Sequence, residues 1–112
     1  MATKEEIKNA LIKWINMMDD PQVAEEFEGY NKTLQFTFPD IEYKTKMIFK
    51  DKSARLEDGF DEKAEMGLET NSDLFLGIAT GEIDPMEAFM EGEIIIRGDM
   101  NAIQRLEIFM DL

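Results

Sequence analysis

The chain has 112 residues, 25 of them acidic and 12 basic, for a formal net charge of -13. That length suits one domain, expected at residues 1–112, and leaves no room for a second; the charge repels phosphate backbones, which excludes nucleic acid as a partner without a basic stripe. The absence of histidine and cysteine excludes Ser-His-Asp and Cys-His catalysis, disulfides, and zinc sites built on imidazole or thiolate.

Thr3 with Glu6 reads as a capping box that opens a helix to about Met18, with Ile7, Leu11, Trp14, Ile15 and Met18 on one apolar stripe. Asp20-Pro21 starts a short helix through Val23, Ala24 and Phe27, ended by Gly29. The period then changes from helical to alternating. Leu34, Phe36 and Phe38 alternate with Thr33, Gln35 and Thr37 in a first strand, and Pro39-Asp40 makes the turn. Tyr43, Thr45, Met47 and Phe49 alternate with Lys44, Lys46 and Ile48 in a second strand. Ser53 to Glu57 is a short third strand. After an acidic turn, Ala64, Met66 and Leu68 alternate with Glu65, Gly67 and Glu69 in a fourth.

The stretch Thr70 to Asp99 organises the rest. Asn71 or Ser72 can cap a helix carrying Leu74, Phe75, Leu76 and Ile78, which Gly81 ends. Asp84-Pro85 starts a second helix, stopped by Gly92. Glu93 to Arg97 is a strand in which Ile94, Ile95 and Ile96 are consecutive, so both faces are apolar and need a cover, helix on one and a ligand on the other. Asp99 caps a final helix with Ala102, Ile103, Leu106, Phe109 and Met110 on its buried stripe. This order predicts an α+β fold: a five-stranded, mostly antiparallel (mixed) sheet with about five helices over one face. The last strand, returning after a helical crossover, is the candidate for parallel pairing.

No reactive constellation stands out. The acidic run Glu57, Asp58, Asp61, Glu62 lacks the spaced ligands of a calcium loop and reads as a solvated turn. Gly77-x-x-x-Gly81 lacks the Lys-Ser/Thr of a nucleotide loop and reads as helix packing. Nothing singles out one carboxylate pair among 25 acids, so no catalytic residue, metal site or cofactor is expected. Lys4, Lys8 and Lys13 leave the first helix slightly positive, read as ordinary solvated charge.

The run from Asp73 through Gly81, Asp84-Pro85, Ala88-Phe89, Gly92 and Ile94-x-Ile96-x-Gly98-Asp99 resembles the C-terminal half of the sterol carrier protein type 2 family. The likeness continues more weakly upstream. It implies an apolar tunnel between sheet and helices, and a non-catalytic carrier that partitions a hydrophobic small molecule such as a fatty acid, acyl thioester, sterol or isoprenoid. Candidate tunnel residues implied by the family are Leu74, Ile78, Met86, Phe89, Met90, Ile94 and Ile96, with Trp14, Met47, Met66, Leu106 and Met110 completing the wall. Each taken singly reads more readily as core than as a ligand contact. Nine methionines and eight phenylalanines suit an adaptable interior.

Ten buried carbons would supply about 8 kcal/mol gross, near micromolar affinity before ordering costs. Arg97, with Arg55 or Arg105, is placed to meet a carboxylate headgroup or, more simply, a surface acid. The alternative reading is a dimerisation or accessory module of a lipid-metabolising enzyme without its own ligand. Expected partners are therefore the lipid, membranes at most transiently, and room for a homodimer. No leader, spanning segment or peroxisomal tail is evident, which makes the cytoplasm the expected location.

Overall fold

The structure, a computed structural model, describes residues 1–98, 104 and 107–109. Helix α1 (Lys4–Met17) opens on the capping box: the Thr3 hydroxyl accepts from the Glu6 N–H at 3.1 Å, and the Glu6 carboxylate accepts from the Thr3 N–H at 3.0 Å. Helices α2 (Pro21–Glu25), α3 (Ser72–Ala79) and α4 (Pro85–Met90) begin at Asp20, Asn71 and Asp84, each of which accepts from the N–H two residues on. Asn71 is thus the cap of α3. Ser72 is its first helical residue, fully buried, and donates from its hydroxyl to Asp40 at 2.5 Å.

Five strands, β1 (Thr33–Phe38), β2 (Tyr43–Lys50), β3 (Ser53–Asp58), β4 (Met66–Thr70) and β5 (Ile94–Gly98), form one sheet in the order β3-β2-β1-β4-β5. The alternating patterns set its faces. Leu34, Phe36, Phe38, Met47, Phe49, Met66, Leu68 and Ile94 point into the core under the helices. Gln35, Thr37, Lys44, Lys46, Glu69 and Arg97 share the other face, as their register pairs require. The expected α+β fold with a mixed five-stranded sheet is the one observed.

Three local expectations are corrected. The parallel pair is β1 with β4, and β5 runs antiparallel to β4. Two helices lie between β4 and β5, so the chain changes direction an odd number of times and returns antiparallel, whereas a single crossover helix, with two changes, would return it parallel. The link that crosses the sheet is instead the 59–65 loop. Gln35 pins it from the helix-free face: its side-chain amide donates to the Gly59 carbonyl at 3.0 Å and accepts from the Asp61 N–H at 2.8 Å. β4 therefore starts at Met66 and excludes Ala64 and Glu65, because Ala64 closes a turn onto the Asp61 carbonyl. Last, β5 does not have both faces covered. It is an edge strand whose Ile95, 52% exposed, faces away from the helices.

The final helix was expected from Asp99 on. Residues 104 and 107–109 are helical, while Ala102, Ile103, Leu106 and Met110 lie outside the described residues. Gly77 behaves as a packing glycine: a Cβ there would lie 2.4 Å from Ile83 Cδ1, so α3 approaches the following turn more closely than any side chain would allow.

Candidate functional site

The predicted wall divides into two groups. Trp14, Met47, Met66, Ile78 and Ile94 are buried and join one core between the helices and the inner sheet face, with Leu74 and Ile96 partly buried against it. On α4 the structure places three others outward: Met86 is 39% exposed, Met90 78% exposed, and Phe89 half-buried. The short helix buries Pro85 and Ala88 instead, so the face opposite its bulky side chains meets the protein. Leu106 and Met110 lie outside the described residues.

Aromatic rings fill the layer that joins the buried group. Trp14 meets Phe75 edge-on at 5.3 Å and stacks on Phe109 at 5.3 Å with 7° between planes. Phe109 lies 5.4 Å from Phe27, and Phe27 stacks on Phe49 at 5.0 Å. Phe75 also meets Phe36 and Phe38 edge-on. These offset and edge contacts each add about 0.5–1.5 kcal/mol beyond area burial. Phe27, Phe36, Phe38, Phe49, Phe75 and Phe109 were absent from the candidate set. Their periodicity marked them as core, and nothing in a period separates core from ligand wall.

On the helix side of the sheet, two clefts reach the candidate residues. One, of about 180 Å³, has Trp14 and Phe109 among its walls, with Met17, Ala79 and Gly81, and carries Lys13 and Thr80 as its polar members. The other, of about 280 Å³, lies between α3 and α4 over Leu74, Ile83 and Ala88, and its remaining lining is acidic: Glu82, Asp84, Glu87, Glu91 and Glu93. A carboxylate headgroup is repelled at the second cleft and attracted at the first. Both are smaller than the roughly 300–1,000 Å³ of ligand-filled sites, so a long chain enters only if side chains give way.

Arg97 and Arg55 lie on the helix-free face, across the sheet from these two clefts, and Arg97 lines a further cleft of about 280 Å³ there with Gln35, Thr37, Phe60 and Met66. Arg97 pairs with Glu69 at 3.2 Å and Arg55 with Glu57 at 3.6 Å. These are the surface ion pairs expected as their simpler role; Arg105 is outside the described residues. The acids of the expected turn are engaged likewise. Asp58 accepts from the Tyr43 hydroxyl at 2.7 Å and faces Lys4 at 4.0 Å and Lys8 at 3.8 Å, and Glu57 also pairs with Lys46 at 3.7 Å. The lysines of α1 thus tie that helix to the edge of the sheet. A second tie joins Asp40, which accepts from the Ser72 N–H at 3.0 Å as well as from its hydroxyl, to the start of α3. Burial pushes the Asp40 carboxyl up, but these Ser72 donors outweigh it and hold it below its ordinary value.

The sequence profile described as the SCP-2 sterol transfer family matches residues 11–111. No curated protein matches the chain significantly in sequence. Among solved structures, the chain is similar to sterol carrier protein-2 like-3 from Aedes aegypti, at 14% identity and a TM-score of 0.73, covering 99% of this chain and 100% of that one. It is also similar to palmitated SCP2L2 from Aedes aegypti, at 13% identity and a TM-score of 0.70 over 96% and 95% of the two chains. A third likeness is to the inverting sec-alkylsulfatase Pisa1 from Pseudomonas sp., at 20% identity and a TM-score of 0.66. There 80% of this chain is covered, but it spans only 14% of the sulfatase.

Proposed function

The chain belongs to the SCP-2 sterol transfer family, and from that premise we propose that it is a non-catalytic carrier that takes up a single acyl chain by partition. The observation that carries this reading is the Trp14–Phe109 stack in the walls of a cleft that also holds Lys13. An acyl chain displaces the Phe109 ring, spreads over Trp14, and runs toward Ile78, Met47 and Met66, while Lys13 meets its carboxylate. The exchange of ring for chain keeps the interior filled, which matters because an empty cavity costs about 24 cal/mol per Å³. Methionine helps, since its unbranched thioether repacks around an irregular guest. The palmitated state of SCP2L2 from Aedes aegypti supports an acyl chain over a sterol. The outward Met86, Phe89 and Met90 serve as the apolar approach to the core.

Native mass spectrometry of gently purified protein, followed by organic extraction of any excess mass, tests the reading. One lipid per chain, or uptake of added palmitate at that ratio, is the expected result. A bare chain that takes up no palmitate would overturn it and favour the second reading, an accessory module without a ligand. That second reading has its own support in the sulfatase, where a similar fold forms a small part of an enzyme chain.

A further inference from the structure

The two edges of the sheet are treated differently. β3 carries Arg55, Glu57 and Asp58, and α1 is tied to it through Lys4 and Lys8. Such charges and cover are what keep an edge from pairing with another chain. β5 has no such protection at its centre: its middle residues are isoleucines, it contains neither proline nor lysine, and its register with β4 runs unbroken from Ile94 to Gly98. Among the described residues β4 is the strand that pairs with it, so its outward N–H and C=O groups lack a ladder partner. Ile95 stands half exposed on the helix-free face.

The segment Glu93-Ile94-Ile95-Ile96-Arg97 also reads the same in both directions in the sense that matters for self-pairing. Reversed about Ile95, acid exchanges with base and each isoleucine falls on an isoleucine. We propose that β5 is a self-complementary interface at which a second copy of this chain adds its own β5, antiparallel and two-fold symmetric about Ile95. In that register Ile95 lies against the partner's Ile95, Ile94 against the partner's Ile96, and Glu93 against the partner's Arg97. Period 2 keeps Ile95 and Arg97 on one face of β5, and Glu93, the residue just before the strand, is held at its start by its carbonyl, which accepts from the Thr70 hydroxyl at 2.9 Å, so the ion pairs lie at the two ends of the new apolar contact.

Two details fit this arrangement. Arg97 already reaches Glu69 through one terminal nitrogen at 3.2 Å, and a guanidinium has further N–H groups for a second carboxylate. Glu93 also crowds Glu91, raising that carboxyl above its ordinary value first by a side-chain hydrogen bond and then by its charge; a facing cation relieves the crowding. A two-fold contact closes on itself, which turns an aggregation-prone edge into a defined dimer. The interface stands whether or not the chain carries lipid.

Sedimentation velocity on the full chain over a range of concentrations tests it, with Ile95→Lys, Glu93→Arg, Arg97→Glu and the double exchange Glu93→Arg/Arg97→Glu compared with the wild type. The wild type should move from one-chain to two-chain mass. Ile95→Lys and each single reversal should weaken association by roughly tenfold or more, because like charges then face each other directly, and the double exchange should restore it. Thermal melts check that each variant folds, and slowed hydrogen exchange at the β5 amides of the concentrated wild type reports the same contact without mutation. The proposal is overturned if the wild type keeps one-chain mass at its highest soluble concentration, if the dimer survives Ile95→Lys, or if the double exchange fails to restore it.

Discussion

The Tyr43 hydroxyl donates to Asp58 at 2.7 Å, and the two residues shift each other's titration in opposite directions. Burial and then the bond to Asp58 push the Tyr43 phenol up to about 12, while the same bond, against burial, holds the Asp58 carboxyl below its ordinary value of 3.8. For Tyr43, raised in the folded state, the stabilisation is present below its ordinary value of 10.0 and is lost as pH rises toward 12. For Asp58, lowered in the folded state, it is present above 3.8 and is lost as pH falls further. Tyr43→Phe should cost about 1–2 kcal/mol at neutral pH and flatten the alkaline limb of stability. Urea unfolding from acid to alkaline pH measures both effects.

Ser72→Ala removes a fully buried hydroxyl that donates to Asp40 and accepts from the Ala2 N–H at 3.3 Å. Asp40 keeps the Ser72 backbone N–H but loses its shorter donor. The expected loss is about 1–3 kcal/mol, seen as a lower Tm, and the loss should shrink in acid once Asp40 is protonated.

Gly98 takes φ +79, and a Cβ there would sit 2.1 Å from the Glu65 carbonyl oxygen. Gly81 has a similar φ of +83 but nothing within 4 Å. Alanine at Gly81 should therefore cost about 1–2 kcal/mol, the left-handed penalty alone. At Gly98 it should cost distinctly more, because the 59–65 loop must also move. The two unfolding curves, compared directly, separate conformational strain from collision.

Acyl uptake should register at Trp14, whose ring loses its stack on Phe109. A change in its fluorescence on palmitate addition, saturating at one per chain, is expected, with about 2.7 kcal/mol of added stability at a hundredfold excess over Kd. Met90→Gln should leave stability within about 0.5 kcal/mol, since that side chain is solvent-exposed, yet slow the uptake if α4 is the approach. Equal uptake rates for Met90→Gln and wild type would remove α4 from the route.

Much of the fold could be read from local chemistry. Asp20, Asn71 and Asp84 sit before their helices for the same reason, a side-chain oxygen within reach of an orphan N–H, and Leu34-Gln35-Phe36-Thr37-Phe38 shows its two faces in its letters. The errors arose where a partner distant in sequence decides. The pairing of Leu34 with Met66 is written in neither strand, and Glu65 alternates like its neighbours although the Gln35 anchor keeps the preceding loop off the ladder. Ile95 looks as apolar as Ile94, but only the strand's place at the edge reveals that one faces the core and the other faces solvent. For the candidate site, the family resemblance pointed to Met86 and Met90, while α4 seats Pro85 and Ala88 against the protein. Six residues are too few for a period to tell two apolar faces apart.

The parallel seam between β1 and β4 also sets an order of events. The β1–β2–β3 meander joins neighbours along the chain and can form while its continuation is still unfolded, but its central strand then shows one open side. That side waits for residues 66–69, some thirty positions later, and β5 can dock only after β4 has. Without that segment the β1 side at Leu34 to Thr37 has no ladder partner, and an open strand edge of that kind invites wrong pairing. The chain from Met66 onward therefore acts as the closing piece: the open side of β1 is satisfied only once that later segment has docked.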